Sequence, residues 1–333
     1  MASPTRWGIL GAGKIAMDFC TCLSALPEHQ IIAVAARSKD RANQFASEFD
    51  IPKAHSSYQE VMNDPDIDIV YVSTIHINHV ELSLAAINAG KNVLCEKPMS
   101  LTLEGCQKVL AAAKEKNILF VEGIWSRFFP VYKFIGEQIE SGALGDVHTV
   151  QASFTQCIWT VDRISKKELG GGGLMDLGVY LAQAAELVFK GKPKLIQTQG
   201  SLSDEGVDKC AVITLKYPGN KFAQLYYDTE VSGGANSLTI RGTKGNLHIP
   251  DCFWCPDRVV MEGNQVKYFQ LPTIQDKLEF INSQGFCYQI QGIRECLLKG
   301  LKECPEVSHE SSETIMYILT EVQRQLGVSY DFP

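Results

Sequence analysis

Trp7-Gly8-Ile9-Leu10-Gly11-Ala12-Gly13-Lys14-Ile15-Ala16 is the stretch whose reading decides the fold. An apolar strand over residues 7–10 runs directly into a turn of the form Gly-x-Gly-x-x-Ala. Residues 13–26 then carry apolar side chains at helical spacing, and Pro27 closes them. Each small residue has its own task. Gly11 permits a tight turn, Gly13 lets a pyrophosphate approach the backbone, and Ala16 lets the helix pack close to the strand. The helix N-terminus offers unpaired N–H groups and the positive end of its dipole to phosphate oxygens. Gly11, Gly13, Lys14 and Ile15 are therefore expected around the phosphates of a dinucleotide. The glycine pattern alone is a weak signal. Its place between a strand and a helix, opening a βαβ unit, gives it weight.

Reading outward, apolar strands recur at 31–36, 67–73, 92–95 and 118–122. Helical patterns separate them at 38–49, 80–89 (ended by Gly90) and 103–116. Near-continuous apolar strands alternating with amphipathic helices predict a parallel sheet covered on both faces. After about residue 123 the pattern changes. Strands are expected at 147–154, 194–201, 211–217, 222–229, 237–241 and 246–249, with a hairpin signal at Tyr217-Pro218-Gly219-Asn220-Lys221. Helices are expected at 174–189, 286–301 and 311–326. The fold class read from this is α/β followed by α+β. A doubly wound Rossmann domain spans 1–123, and a domain with a large, mostly antiparallel open sheet spans 124–333. No flexible linker separates them, which predicts close packing with a cleft between.

Composition bounds the function. The chain has 333 residues, 45% hydrophobic and 21% charged, and a formal charge of −7. That acidic balance argues against nucleic acid or an anionic membrane as partner, since both need a basic field. The first residues lack the pattern of a signal peptide. No apolar run approaches the roughly 20 residues of a membrane helix. The eleven cysteines are scattered and odd in number, which predicts reduced thiols and a cytoplasmic setting. Cys252-Phe253-Trp254-Cys255 is a lone pair of cysteines with no second pair, and neither a metal site nor a redox role is expected of it; the two read as apolar or incidental cysteines.

The second strand indicates which dinucleotide is bound. An NAD site usually ends this strand with an acid on the ribose 2′-hydroxyl. Here it ends Ala35-Ala36-Arg37-Ser38, with Arg41 one turn on. A guanidinium pairs with a 2′-phosphate, so NADP is the expected cofactor, held by Arg37, Ser38 and Arg41. Tyr71, Thr74, His76 and His79 surround the end of a later strand and are expected at the cofactor. His79 either lines the nicotinamide pocket or serves as a polar residue at a helix start.

Glu96-Lys97-Pro98 follows the strand at 92–95. Ligands bind outside the carboxyl ends of parallel strands, so Lys97 is a candidate electrostatic or acid–base group, with Glu96 beside it. The Lys97-Pro98 bond is open to the cis form. A second candidate segment is Gly170-Gly171-Gly172-Gly173-Leu174-Met175-Asp176-Leu177-Gly178-Val179-Tyr180. Four glycines before a helix carry an entropic cost that makes sense where backbone passes close to a ligand. Asp176 and Tyr180, four apart, are expected on one helix face, able to bind and deprotonate a hydroxyl. A lysine near a phenol favours the phenolate. Trp125, Phe154, Trp159 and Phe280 are candidate apolar walls for a substrate, with Arg127 in the same stretch as Trp125.

The strand–GAGKIA turn, Glu96-Lys97-Pro98 and the GGG-x-x-D-x-G-x-Tyr segment, in that order, resemble the Gfo/Idh/MocA family over essentially the whole chain. The resemblance implies a Rossmann domain followed by an α+β domain whose open sheet forms a homodimer interface. It maps the family's lysine to Lys97 and its aspartate to Asp176. The last motif residue in the family is usually histidine; here it is Tyr180. Members with tyrosine there imply NADP-dependent oxidation of trans-dihydrodiols of aromatic hydrocarbons to catechols, and of D-xylose and related aldoses at C1. The expected partner is thus a small cyclic diol or aldose. Alternatives of the same fold are an NAD(P)-dependent glycosidase and another sugar or inositol dehydrogenase. A non-catalytic NADP sensor would not need Lys97, Asp176 and Tyr180 together.

Overall fold

The structure is a computed structural model that describes residues 3–234 and 236–330. In chain order, the first sheet and its helices are β1 (Thr5–Leu10), α1 (Lys14–Ser24), β2 (His29–Ala35), α2 (Lys39–Glu48), β3 (Lys53–His55), α3 (Tyr58–Met62), β4 (Ile69–Val72), α4 (His79–Asn88), β5 (Asn92–Cys95), α5 (Leu103–Glu115) and β6 (Phe120–Glu122). All five strand pairs are parallel and the order is β3-β2-β1-β4-β5-β6. This is the doubly wound order of a Rossmann sheet, with its reversal between β1 and β4. The central strands β1, β4 and β5 are buried on both faces along most of their length, as parallel strands under helices must be.

The rest of the chain forms α6 (Pro130–Glu140), β7 (Val147–Thr155), α7 (Asp162–Ser165), α8 (Val179–Phe189), β8 (Leu195–Leu202), β9 (Asp208–Tyr217), β10 (Lys221–Asp228), β11 (Leu238–Gly242), β12 (Asn246–Ile249), β13 (Arg258–Met261), β14 (Gln265–Tyr268), α9 (Phe286–Leu298) and α10 (His309–Leu326). The second sheet has eight strands in the order β14-β13-β12-β11-β7-β10-β9-β8. Every pair in it is antiparallel except β7 with β10. The fold class expected from sequence is the one observed. The short elements β3, α3 and α7, the helix α6 and the strands β13 and β14 at one end of the second sheet were not anticipated. The helix expected from residue 174 begins instead as a π turn, Leu174–Gly178, before α8.

The boundary read at 123/124 divides the chain by pattern; by compactness the chain interleaves. One unit holds the chain up to Met99, Gln107–Phe128 and Leu271–His309. The other holds Ser100–Cys106, Phe129–Gln270 and the chain from Glu310 on. The physical reason is visible at α9, which packs on α1. Phe286 meets Phe19 edge to face at 5.6 Å and stacks on Trp125 at 4.6 Å, while Phe19 stacks on Tyr71 at 4.0 Å. These aromatic side chains form one continuous core in the first unit, each fully buried ring contributing about 1.5–3 kcal/mol. In the second unit α8 is buried on nearly all sides, covered by its sheet on one face and packed around on the others. Among the described residues no helix is long and apolar enough to cross a membrane.

Candidate active site

The first unit builds a dinucleotide cradle at the reversal of strand order. Gly11 has φ of 110°, and a Cβ there would meet the Ser73 carbonyl oxygen at 2.8 Å. The tight turn thus needs glycine for reasons internal to the protein. Gly13 is different. It is exposed, and a Cβ there would meet nothing within 4 Å. It is also the N-cap of α1, and no side-chain cap closes that helix end, as an anion site requires. These residues fit a dinucleotide. Lys14 is exposed, paired with Glu279 at 3.6 Å, and Ile15 is half-buried.

At the end of β2, Arg37 is exposed and Ser38 is the N-cap of α2. Arg41 takes a structural position: its Nε and Nη2 donate to the Ala12 carbonyl at 2.9 and 2.7 Å, which ties α2 to the glycine turn. Asp18, not anticipated from sequence, is buried on α1 and accepts from the amides of Glu279 and Phe280 at 2.8 and 3.0 Å. It thereby sets Phe280, which is exposed, beside the dinucleotide helix. No sequence pattern marks Asp18, because its partners lie more than 250 residues away.

Lys97 sits in a segment pinned on each side. The Tyr71 hydroxyl donates to Glu96 Oε1 at 2.7 Å, and the Met99 amide donates to Glu122 Oε1 at 3.0 Å. His79 Nδ1 lies 2.7 Å from the Pro98 carbonyl and its Nε2 lies 3.0 Å from the Thr74 carbonyl. The Lys97-Pro98 bond is cis. Within residues 93–100, Lys97 is the one side chain not buried. Tyr71 and Glu96 are buried and hold one another, so their contribution is to fix the lysine's backbone. His79 is fully buried. Burial lowers its pKa, the two carbonyls oppose this, and the Lys97 charge lowers it further. With both ring nitrogens on main-chain oxygens, His79 ties the loop after β4 to the loop after β5. His76 is buried against it, ring centroids 5.7 Å apart, and Thr74 is half-buried.

In the second unit Asp176 and Tyr180 are both nearly buried, at 8% exposure each. Asp176 lies on the π turn, a wider i→i+5 geometry often found at functional sites. Arg163, a residue that sequence reasoning missed, donates from Nη1 to Asp176 Oδ1 at 2.7 Å. This charge-assisted bond fixes the direction of the carboxylate. The Tyr180 ring lies edge to face with Phe154 at 5.9 Å. Phe154 in turn is stacked on Trp254 at 4.1 Å, so Phe154 is a core residue behind Tyr180. Trp159 is half-buried under the Lys209 ammonium. In the first unit Trp125 is stacked in the core, and Arg127 is buried.

The glycine run before Asp176 has a cause other than the one expected. A Cβ on Gly171 would meet the Ile164 carbonyl at 2.5 Å, one on Gly172 would strike the Asp208 carboxylate, and one on Gly173 would meet the Tyr227 ring at 2.7 Å. The chain itself occupies that space. Buried Asp208 accepts from the Leu174 amide at 2.6 Å and from the Tyr227 hydroxyl at 2.7 Å, and the Tyr330 hydroxyl donates to the Gly171 carbonyl. The glycines let this cluster close on the entry to the π turn.

Residues 5–123 match an oxidoreductase family with an NAD-binding Rossmann fold, and residues 132–248 match the GFO/IDH/MocA C-terminal domain. The chain belongs to the Gfo/Idh/MocA family of oxidoreductases. A trans-1,2-dihydrobenzene-1,2-diol dehydrogenase of Xenopus laevis is 43% identical over 98% of this chain and 99% of its own. Among solved structures, the 3-ketoreductase KijD10 of Actinomadura kijaniata, in complex with NADP and TDP-benzene, is 26% identical with a TM-score of 0.81, covering 97% of this chain and 98% of that one. A levoglucosan dehydrogenase in complex with NADH and levoglucosan shares the fold, with a TM-score of 0.86 at 18% identity over 98% of both chains.

Proposed function

We propose that this oxidoreductase uses NADP to oxidise a carbinol carbon of trans-dihydrodiols of aromatic hydrocarbons, yielding catechols, and also oxidises D-xylose at C1 to the lactone. The observation that carries the reading is Lys97, the side chain left partly exposed at the carboxyl end of a buried parallel strand, on a segment pinned by Glu96, His79 and Glu122. The likeness to named dihydrodiol dehydrogenases over nearly the full length supports the substrate class. NADP rather than NAD is supported by exposed Arg37, with no acid, at the end of β2. When bound, the nicotinamide supplies the hydride acceptor. Tyr180 takes the hydroxyl proton, Asp176, held by Arg163, accepts from a substrate hydroxyl, and Lys97 supplies a positive charge at the strand end of the dinucleotide-binding unit. We read the working form as a cytoplasmic homodimer. Its support is the outward face of the second sheet, where Leu195, Val212, Phe222, Val266 and Tyr268 are exposed.

Tyr180→Phe is expected to lower kcat by about 10²–10⁴-fold while fluorescence titration still reports NADP binding. Near-normal turnover would remove Tyr180 from the chemistry. Arg37→Asp is expected to raise the KM for NADP about tenfold or more, equivalent to about 1.4 kcal/mol, with little change for NAD. An equal effect on both cofactors would refute the assignment to the 2′-phosphate.

A further inference from the structure

Residues 252–255, Cys-Phe-Trp-Cys, form the turn between β12 and β13, and nothing in the proposed chemistry uses their thiols. The Cys255 amide donates to the Cys252 carbonyl at 2.8 Å. Such an i→i+3 turn brings its end Cα atoms within about 7 Å, and a disulfide spans Cα separations of about 4.4–6.8 Å. Cys252 has φ of 45°, a left-handed conformation that an L-residue adopts only when its surroundings hold it there. Each thiol shifts the titration of the other, as two neighbouring sulfurs do. Cys252 is half-buried and Cys255 buried, which leaves one sulfur open to a reagent and the other behind it.

The two residues inside the turn both reach the helix of Tyr180. The Phe253 carbonyl accepts from the Tyr132 hydroxyl at 2.9 Å, and that hydroxyl accepts from Gln183 Nε2 at 3.0 Å. Gln183 is on α8, one turn from Tyr180. Trp254 stacks on Phe154 at 4.1 Å with 17° between the planes, and Phe154 meets Tyr180 at 5.9 Å. We propose that Cys252 and Cys255 are a thiol–disulfide site, and that its oxidation is felt at Tyr180 through Trp254 and Phe154.

The chemistry assigns a role to each sulfur. The neighbouring Cys255 thiol holds the Cys252 thiol below its ordinary pKa, whereas burial first, and Cys252 next, push Cys255 well above. Cys252 is therefore the attacking thiolate. With a peroxide as oxidant, its sulfur forms an S–O bond as the O–O bond breaks, and the leaving oxygen takes a proton to become water. The Cys255 sulfur then attacks that sulfenic sulfur, an S–S bond forms, the S–O bond breaks, and a second water leaves with the Cys255 proton. Two thiols are oxidised and one peroxide reduced. Two other close thiol pairs, Cys296 with Cys304 at 3.1 Å between sulfurs and Cys22 with Cys287, are buried on both sides. They offer a peroxide no such entry.

The test treats the full chain with hydrogen peroxide, alkylates it and weighs the peptide that spans residues 252–255. The expected result is a peptide lighter by two hydrogens, restored by dithiothreitol. In Cys255→Ser, Cys252 stops at the sulfenic acid and is trapped by dimedone. If both thiols still alkylate after peroxide, or if either joins another cysteine instead, the site is refuted. Tryptophan emission should change in step with the disulfide in the native chain and not in Trp254→Phe. A change that persists in Trp254→Phe would refute the path through the stacked rings. Dihydrodiol turnover in the same samples is expected to fall with oxidation and recover on reduction. Unchanged turnover would refute the coupling to Tyr180, while the mass reading stands independently of any role for Tyr180.

Discussion

Two glycine-rich stretches precede the two helices that matter most, and they are glycine-rich for opposite reasons. At residues 11–13 the decisive glycine is Gly13, which faces open space at the start of α1. At residues 171–173 the glycines face the chain itself: a carbonyl, a buried carboxylate and a tyrosine ring. A side chain at Gly13 would obstruct a ligand, whereas one at Gly172 would obstruct folding. Composition alone cannot separate these cases, because both read as glycine before a helix. What separates them is what lies within van der Waals reach.

Substitutions put a scale on that difference. Gly172→Ala carries the largest expected effect. Its φ of 137° disfavours any Cβ, and the Asp208 carboxylate stands in the way. A loss of about 3 kcal/mol or more in urea unfolding is expected. Stability close to the parent would mean that the Asp208 cluster gives way easily.

Asp208 probes the same cluster through pH. Burial raises its pKa above the ordinary carboxylate value, against the hydrogen bonds from Tyr227 and Leu174. The folded state therefore holds that proton more tightly than the unfolded chain does. The contribution to stability is fully present below the unfolded pKa of about 3.9 and is lost as pH rises through the higher folded value. Unfolding free energy measured upward from about pH 4 should carry this decline in the native chain and lack it in Asp208→Asn, which keeps an acceptor for Leu174 and Tyr227. Identical profiles would refute the buried, proton-holding carboxylate.

Gly13→Ala should leave stability within about 0.5 kcal/mol, the smallest change of the three. Its mark is expected in the cofactor instead, as a rise of about tenfold in Kd, or about 1.4 kcal/mol. A stability loss as large as that of Gly172→Ala would erase the contrast between the two stretches.

The Rossmann order was legible because its inner strands are largely apolar and its helices carry period and punctuation, down to Gly90 after α4. β3, with the residues Lys53, Ala54 and His55 half-buried, and β14, exposed along its length, lack any such signal. Edge strands need neither apolar alternation nor β-branched residues to pair. The π turn was illegible because it depends on Asp208, a residue from another strand. Lys97 could be singled out because it follows a strand of strong pattern. Tyr71 and His79 were marked as cofactor residues, but their role as its supports, like that of Glu122, could not be read, because they act through a carboxylate, an amide and two carbonyls that only the fold brings near. Arg163 lies in a polar helix of four residues, and nothing in its neighbourhood sets it apart from a solvated surface cation.

The interleaving of the units has a consequence for how the protein is made. The dinucleotide-binding unit includes Leu271–His309, and Arg294 closes on Thr5 across a separation of 289 residues. A ribosome adding about 5–20 residues per second would finish the whole six-stranded sheet and then go on for many seconds before α9 emerges. During that interval Phe19 and Trp125 lack Phe286, the ring that packs against both, and Asp18 lacks both of its amides. The part of the chain translated first is among the last to be completed, so the nascent nucleotide half waits with its aromatic seam open until the far end of the message has been read.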